Sequence, residues 1–295
     1  MRFGGHESFA VREGWLSRGL ELLCESPALL SDEFAEDHLG VGRNMAKSIR
    51  HWLASTGLGE SGALVDHQLK PAKLGQLIRR KDPHFLDIGT WWILHINLVS
   101  NPTHAFSWHW FFNHWSLQRF DRPPCIESLK RHAAAKLPRS PSPRTIERDL
   151  ATLLQSYARP IPARADDPED SSESPFQDLG LVHHHSASGY YQLNYDPKHI
   201  GMSLFGYSLS MMPKAEGRAD VTISEVERAD CSPGRCFLLR GDEIYDLVQR
   251  YEEADRRSFA LRSQAGERGV KFDATKQPLD WAKDHYANSE VTQDA

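Results

Sequence analysis

Apolar residues recur through residues 43–53, R-N-M-A-K-S-I-R-H-W-L, at Met45, Ile49, Trp52 and Leu53. That is the i, i+4, i+7, i+8 spacing of one buried helical stripe. Residues 144–154, R-T-I-E-R-D-L-A-T-L-L, repeat it at Ile146, Leu150, Leu153 and Leu154, 101 positions later. In the first copy Arg43, Lys47 and Arg50 share the opposite face, and Arg144 and Arg148 do so in the second. A helix with one side packed on a domain and cations near its start suits phosphates and base edges.

The pattern around each copy predicts the rest of a unit. Leu16, Leu20 and Leu23 mark a helix near 11–25, ended by Ser26-Pro27. A short helix capped by Ser31 follows, with Asp32 and Glu33 at the positive end of its dipole. Gly40-Val41-Gly42 makes the turn into the first copy, which runs to about Ser55. Glycines 57, 59 and 62 then predict a hairpin or wing, followed by a short basic helix, A-K-L-G-Q-L-I-R-R. Residues 86–118 hold five of the eight tryptophans, and Asn101-Pro102 divides them into a helical pair for the core. In the second unit, I-E-S-L-K-R-H-A-A-A-K is a helix. Ser142 caps the next one, with Pro143 at its first position. L-G-L-V and G-Y-Y-Q-L-N-Y predict a wing hairpin with His183–His185 at its tip. Beyond Pro197, S-P-G-R-C-F-L-L-R reads as a turn into a strand and D-E-I-Y-D-L-V-Q-R-Y as a helix. Phe272, Leu279, Trp281 and Tyr286 anchor the polar end.

The expected fold is mainly α with small β-hairpins, an α+β class: tandem winged helix-turn-helix units around a Trp-rich helical core, plus a small C-terminal α+β cap. The expected divisions are 1–85, 86–118, 119–197 with an acidic insert at 163–177, and 198–295. That insert has five acidic and no basic residues between Asp166 and Glu173, too little apolar surface to order itself.

Charge sharpens the ligand. The chain of 295 residues carries −5 overall, but residues 1–150 hold 19 Lys+Arg against 16 Asp+Glu. Residues 43–81 carry eight basic and two acidic side chains, and residues 119–148 eight and three. Local potential governs nucleic-acid binding, so the balance favours double-stranded DNA. Candidate contacts are Arg43, Asn44, Lys47, Arg50, Arg144, Thr145 and Arg148. The plainer reading is a solvated cationic face, or a winged-helix scaffold that binds proteins. No apolar run approaches the ~20 residues of a membrane span. Without a hydrophobic leader at M-R-F-G-G-H-E, a cytoplasmic protein is expected. Cys24, Cys125, Cys231 and Cys236 show no metal-ligand spacing and read as reduced thiols.

Two clusters bear on chemistry. His95, His104, His109 and His114 surround the tryptophans, but His109 and His114 project about 140° apart on a helix, poor geometry for sharing a metal. At the N-terminus, G-G-H-E-S-F-A-V-R-E-G-W-L brings together His6, Glu7 and Arg12, types that serve as base, metal ligand and phosphate clamp. A capping role for Glu7, with His6 bonded to a carbonyl, competes with that reading. No P-loop, G-x-S-x-G or standard nuclease motif is present.

Three blocks, F-G-G-H-E-S-F-A-V-R-E-G-W-L, L-G-V-G-R-N-M-A-K-S-I-R-H-W-L and T-W-W-I-L-H-I-N-L-V-S-N-P, together with W-F-F-N and S-P-G-R-C-F, resemble a bacterial family first described only as a domain of unknown function. Its members lie in DNA phosphorothioation gene clusters and include the nickase of the single-strand, Ssp-type system. The resemblance runs in order over most of the chain. It implies a sequence-selective, divalent-metal-dependent (Mg or Mn) nick in an anti-phage modification system. The partners implied are a cysteine desulfurase, an ATP-pyrophosphatase-like sulfur transferase and an ATPase. Within the matched blocks it implies His6, Glu7 and Arg12 as the catalytic cluster, and Arg43, Asn44, Lys47 and Arg50 as the DNA face. A non-catalytic DNA-recognition subunit of the same complex is the alternative.

Overall fold

A computed structural model of the chain describes residues 3–31, 34–61, 68–162, 174–264 and 266–293. Two units separate by their internal contacts: Met1–Phe111 with Trp115–Asn194, and Phe112–His114 with Tyr195–Ala295.

The first unit opens with α1 (Trp15–Glu25), which buries Trp15, Leu16, Leu20 and Leu23 on the side predicted by their spacing. The expected second helix is two short pieces, α2 (Pro27–Ser31) and α3 (Ala35–Leu39), and Asp32 and Glu33 lie outside the described residues. Gly40 ends α3 at φ 63, left-handed backbone that glycine adopts without a Cβ clash. After the two-residue remainder of that turn comes α4 (Arg43–Ser55), the first copy, burying Ile49, Trp52 and Leu53. Its hairpin follows as β1 (Gly59–Ser61) paired antiparallel with β2 (Leu69–Pro71); residues 62–67 of the expected wing lie outside the described residues. The basic α5 (Lys73–Lys81) comes next.

The tryptophan-rich pair forms as expected, α6 (Ile88–Val99) and α7 (Phe106–His114). Every residue of α6 from Gly89 to Val99 is buried. Aromatic edges meet faces throughout this core, as in Trp52 against Trp108 at 5.3 Å and Trp91 against Phe176 at 5.2 Å.

The short β3 (Arg119–Phe120) leads into α8 (Arg122–Lys136) and then α9 (Pro143–Tyr157), the second copy. Ser142 caps α9 by accepting the Thr145 N–H, with Pro143 in the first turn, as the sequence predicts. Beyond the expected hairpin there are two further strands. β3, β4 (Ala158–Ile161), β5 (Val182–His185) and β6 (Tyr191–Leu193) form one sheet in the order β3-β6-β5-β4, with β4 parallel to β5. His183–His185 therefore form a strand and not a loop tip. Parallel pairing with β4 claims their backbone, and Ser186–Gly189 alone make the turn. Of the acidic insert, residues 163–173 lie outside the described residues. Its last residues enter a 3-10 turn, Pro175–Leu179, that runs past the expected boundary and buries Phe176 and Leu179.

The second unit contains α10 (Met202–Ser210), β7 (Asp220–Thr222), α11 (Ile223–Arg228), α12 (Pro233–Phe237), α13 (Gly241–Ala254), β8 (Phe259–Gln264), β9 (Glu267–Phe272) and α14 (Pro278–Gln293). Its three strands are antiparallel in the order β7-β9-β8. α13 buries Ile244, Leu247, Val248 and Tyr251 as predicted, while Leu279 is only half-buried. The S-P-G-R-C-F segment is a helical turn and no strand: Ser232 caps it, Pro233 starts it, and Cys236 and Phe237 are buried. Pro at a first helical position outweighs the turn reading of Pro-Gly. The chain as a whole is α+β, with small sheets beside many helices.

Candidate nucleic-acid interface

Helix periodicity places the cations of α4 as the sequence predicts. Arg43, Asn44, Lys47 and Arg50 are all exposed, while Ala46, Ile49 and Leu53 are buried behind them. Among the described residues no carboxylate pairs with Arg43, Lys47 or Arg50. On α9, Arg144 and Arg148 are exposed and Thr145 is half-buried. Thr145 Oγ1 lies 2.8 Å from the Ser142 hydroxyl, so it serves the cap as well as facing outward. Glu147 lies between the two arginines in sequence and reaches Lys130 at 3.8 Å.

The N-terminal segment joins the two helices. His6 Nε2 lies 3.0 Å from Asp149 Oδ1 on α9, with both residues buried. The Ser8 backbone N–H donates to His6 Nδ1 at 3.0 Å, so that nitrogen is an acceptor and Nε2 carries the hydrogen directed at Asp149. The same carboxylate accepts the Gly4 N–H at 2.8 Å and the Ser107 hydroxyl, from α7, at 2.9 Å. Three donors replace the water that a buried carboxylate loses. Arg148 Nε reaches Ser8 Oγ at 2.7 Å. On the α4 side, Trp52 Nε1 donates to the Phe9 carbonyl at 3.1 Å, and the His6 ring lies 6.0 Å from that of His51. A β-carbon at Gly5 would run into the His51 ring, so only glycine lets the segment pass this close to α4.

The three residues of the N-terminal cluster are not brought to one point. His6 faces Asp149. Glu7 is half-buried with left-handed backbone (φ 49), and the exposed Arg12 lies over the rings of Trp15 at 5.5 Å and Phe9 at 6.0 Å. Glu7 is no helix cap either, since α1 begins only at Trp15 behind Gly14. Among the described residues, no three His, Cys, Asp or Glu side chains converge to hold a metal. A divalent ion does not fit at His6 and Asp149, because both carboxylate oxygens already accept N–H or O–H donors that a cation would have to displace.

Three further histidines have structural partners. His95 Nδ1 lies 2.8 Å from Tyr157 OH, His109 Nδ1 lies 2.7 Å from the Val99 carbonyl, and His184 stacks on Tyr191 at 4.6 Å. Asp149, Ser107 and His51 were not singled out from the sequence. One signal was available for Asp149: an acidic residue at i+3 from Ile146, beside Leu150 on the apolar stripe, must be buried with donors around it. The four cysteines are all free thiols, and burial pushes that of Cys125 up to about 12. No helix among the described residues is long and apolar enough to cross a membrane.

Comparison with known proteins agrees with this architecture. Two solved structures are similar to the chain at 22% identity, covering 97% of this chain and 88% of theirs. They are a magnesium ion-bound SspB crystal structure (TM-score 0.83) and an SspB crystal structure (TM-score 0.84). At that identity the likeness establishes the shared fold. No curated protein matches the chain. Residues 3–286 match the family described as protein of unknown function (DUF4007), which takes in both repeat helices, the segment between them and nearly all of the second unit. The chain belongs to that family.

Proposed function

We propose that the protein is a DNA-binding component of a phosphorothioation system and docks duplex DNA on α4 and α9, the recognition helices of two winged helix-turn-helix units. One observation carries the reading: Arg43, Lys47 and Arg50 form an exposed row, unpaired with any carboxylate among the described residues, on a helix whose opposite side is core. The second copy supplies Arg144 and Arg148, with Asn44 and Thr145 at the helix starts for base or phosphate contacts. The likeness to SspB supports the phosphorothioation setting; a cysteine desulfurase, an ATP-pyrophosphatase-like sulfur transferase and an ATPase are the partners we propose from the family resemblance.

Binding of a labelled 30-base-pair duplex, measured across salt concentrations, tests this. Five to eight neutralised phosphates give a log–log slope of roughly −4 to −7. A slope near zero, or unchanged binding after Arg43→Ala with Lys47→Ala, overturns the DNA reading in favour of a protein scaffold.

Sequence-selective, metal-dependent nicking is the finer activity we assign. The magnesium ion named for one similar structure favours it. We propose Glu7 and Arg12 as the residues of the N-terminal cluster that act on the phosphodiester, with His6 holding their loop through Asp149. Supercoiled plasmid with Mg²⁺ or Mn²⁺ should yield open circles, and Glu7→Gln should stop this while leaving duplex affinity unchanged. If no open circle forms even with the partner proteins added, the chain is the recognition subunit alone.

A further inference from the structure

We infer that the outer face of the four-stranded sheet binds single-stranded nucleic acid. The strand register puts Arg119, Gln192, His183 and Arg159 opposite one another in a row across β3, β6, β5 and β4. Cross-strand partners project to one face. The next residues on that face are Tyr190 and His185, whose backbones are bonded, and Ile161, the β4 partner of His185. The opposite face is the apolar one, with Phe120, Val182, Tyr191 and Leu193 buried. Arg119, Arg159 and Ile161 are exposed, and the remainder of the outer face is half-buried.

The solvated side of an amphipathic sheet ordinarily mixes both signs of charge. This one holds two arginines, two imidazoles, a phenol and an amide, with no carboxylate among its seven positions. The Arg119 guanidinium carbon lies over the Tyr190 ring, 4.4 Å from its centroid, and His185 Nε2 is 3.1 Å from Gln192 Oε1. A guanidinium on a ring and neighbouring imidazoles are planar surfaces for bases, and the arginines are bidentate donors for phosphates. Charge complementarity therefore selects a polyanion, and the planar groups select unpaired bases. Shape disfavours the major groove of an undeformed duplex: four strands span about 14 Å, more than a groove of about 12 Å admits. The surface is also separate from the α9 cations, because a helix of 15 residues puts about 22 Å between Arg144 at its start and Arg159 beyond its end.

This inference deepens the DNA reading but rests on other residues, so each can fail alone. The test is fluorescence anisotropy of the full chain with a labelled twelve-nucleotide oligothymidylate, beside the labelled duplex. Arg119→Glu with Arg159→Glu should weaken the oligonucleotide about tenfold or more while duplex binding stays within about twofold. Tyr190→Leu should weaken it by roughly fivefold or more through lost stacking. If charge reversal lowers the melting temperature, Arg119→Gln with Arg159→Gln provides the same reading without reversed charge. Failure of the unsubstituted protein to bind the oligonucleotide overturns the proposal, as does undiminished binding by the folded double variants. It is also overturned if Arg43→Ala with Lys47→Ala weakens the oligonucleotide as much as the duplex, since one surface would then serve both.

Discussion

Helices α4 and α9 present matching cations to solvent but differ in what they bury. At equivalent positions α4 buries Ser48 and α9 buries Asp149. The Ser48 hydroxyl has no hydrogen-bond partner among the described residues, whereas Asp149 gathers donors from Gly4, His6 and Ser107. The N-terminal segment is thus fastened to α9 by bonds to a charge and laid against α4 through His51 and one bond from Trp52. Surfaces that repeat and interiors that do not have different jobs. The repeated cations suit one ligand, while the unmatched interior ties the two helices, 101 residues apart in sequence, through a loop of fewer than ten residues.

The largest expected effect breaks that asymmetry. Asp149→Ala leaves two N–H groups and a hydroxyl buried without an acceptor, and bonds to a buried charge are the costly ones to lose. A destabilisation of about 3 kcal/mol is expected in urea unfolding. Ser48→Ala at the matching position removes only an unpartnered hydroxyl and should change stability by less than about 1 kcal/mol. Asp149→Asn retains an acceptor oxygen for His6 and Gly4 and presents an amide to Ser107, so it should recover much of the loss. Equal costs for the two alanine variants would mean that the clasp contributes nothing.

The outward faces give the next contrast. Arg148 is held by Ser8 and has Glu147 beside it, while the α4 row carries no competing carboxylate. Arg43→Ala with Lys47→Ala should therefore reduce duplex affinity more than Arg144→Ala with Arg148→Ala, by about tenfold against about threefold at moderate salt, and reduce the salt slope by about two. The reverse ranking would make α9 the principal reader and α4 the support.

How much of this was legible depends on the range of the interaction concerned. The stripes of α4 and α9, the Ser142–Pro143 start and the tryptophan pair are local patterns, so periodicity and capping chemistry located them. The His6–Asp149 contact spans 143 residues, and nothing near either residue specifies the other. Spacing alone therefore grouped His6 with Glu7 and Arg12, its chain neighbours, whereas folding gave it a partner on another helix. The sheet shows the same limit. The hairpin of β5 and β6 was visible in sequence, but β3 and the parallel β4 join it only through tertiary pairing. That pairing turned three consecutive histidines from a loop tip into a strand.

The second unit offers the opposite case, a polar network closed within seven residues. Arg218 binds Glu225 at 3.0 and 3.2 Å, and Glu225 completes a capping box by accepting the Thr222 N–H while its own N–H donates to the Thr222 hydroxyl. The Arg218 hydrogen bond first, and then the Thr222 N–H, draw the Glu225 carboxyl down to about 2 from its usual 4.5. Its folded value lies below its unfolded one, so its stabilisation is complete above about pH 4.5 and is lost as pH falls through about 2. Both side chains of the pair are partly exposed, so water screens it, and the contribution at neutral pH should stay below about 1 kcal/mol. Glu225→Gln should accordingly melt slightly below the parent at pH 7, with the gap closing between pH 4.5 and 2 because protonation makes the parent resemble the amide. A gap that persisted at pH 2 would assign the difference to shape at the cap and not to charge. The clamp closed between near neighbours in sequence is in this way expected to matter less than the distant one between His6 and Asp149.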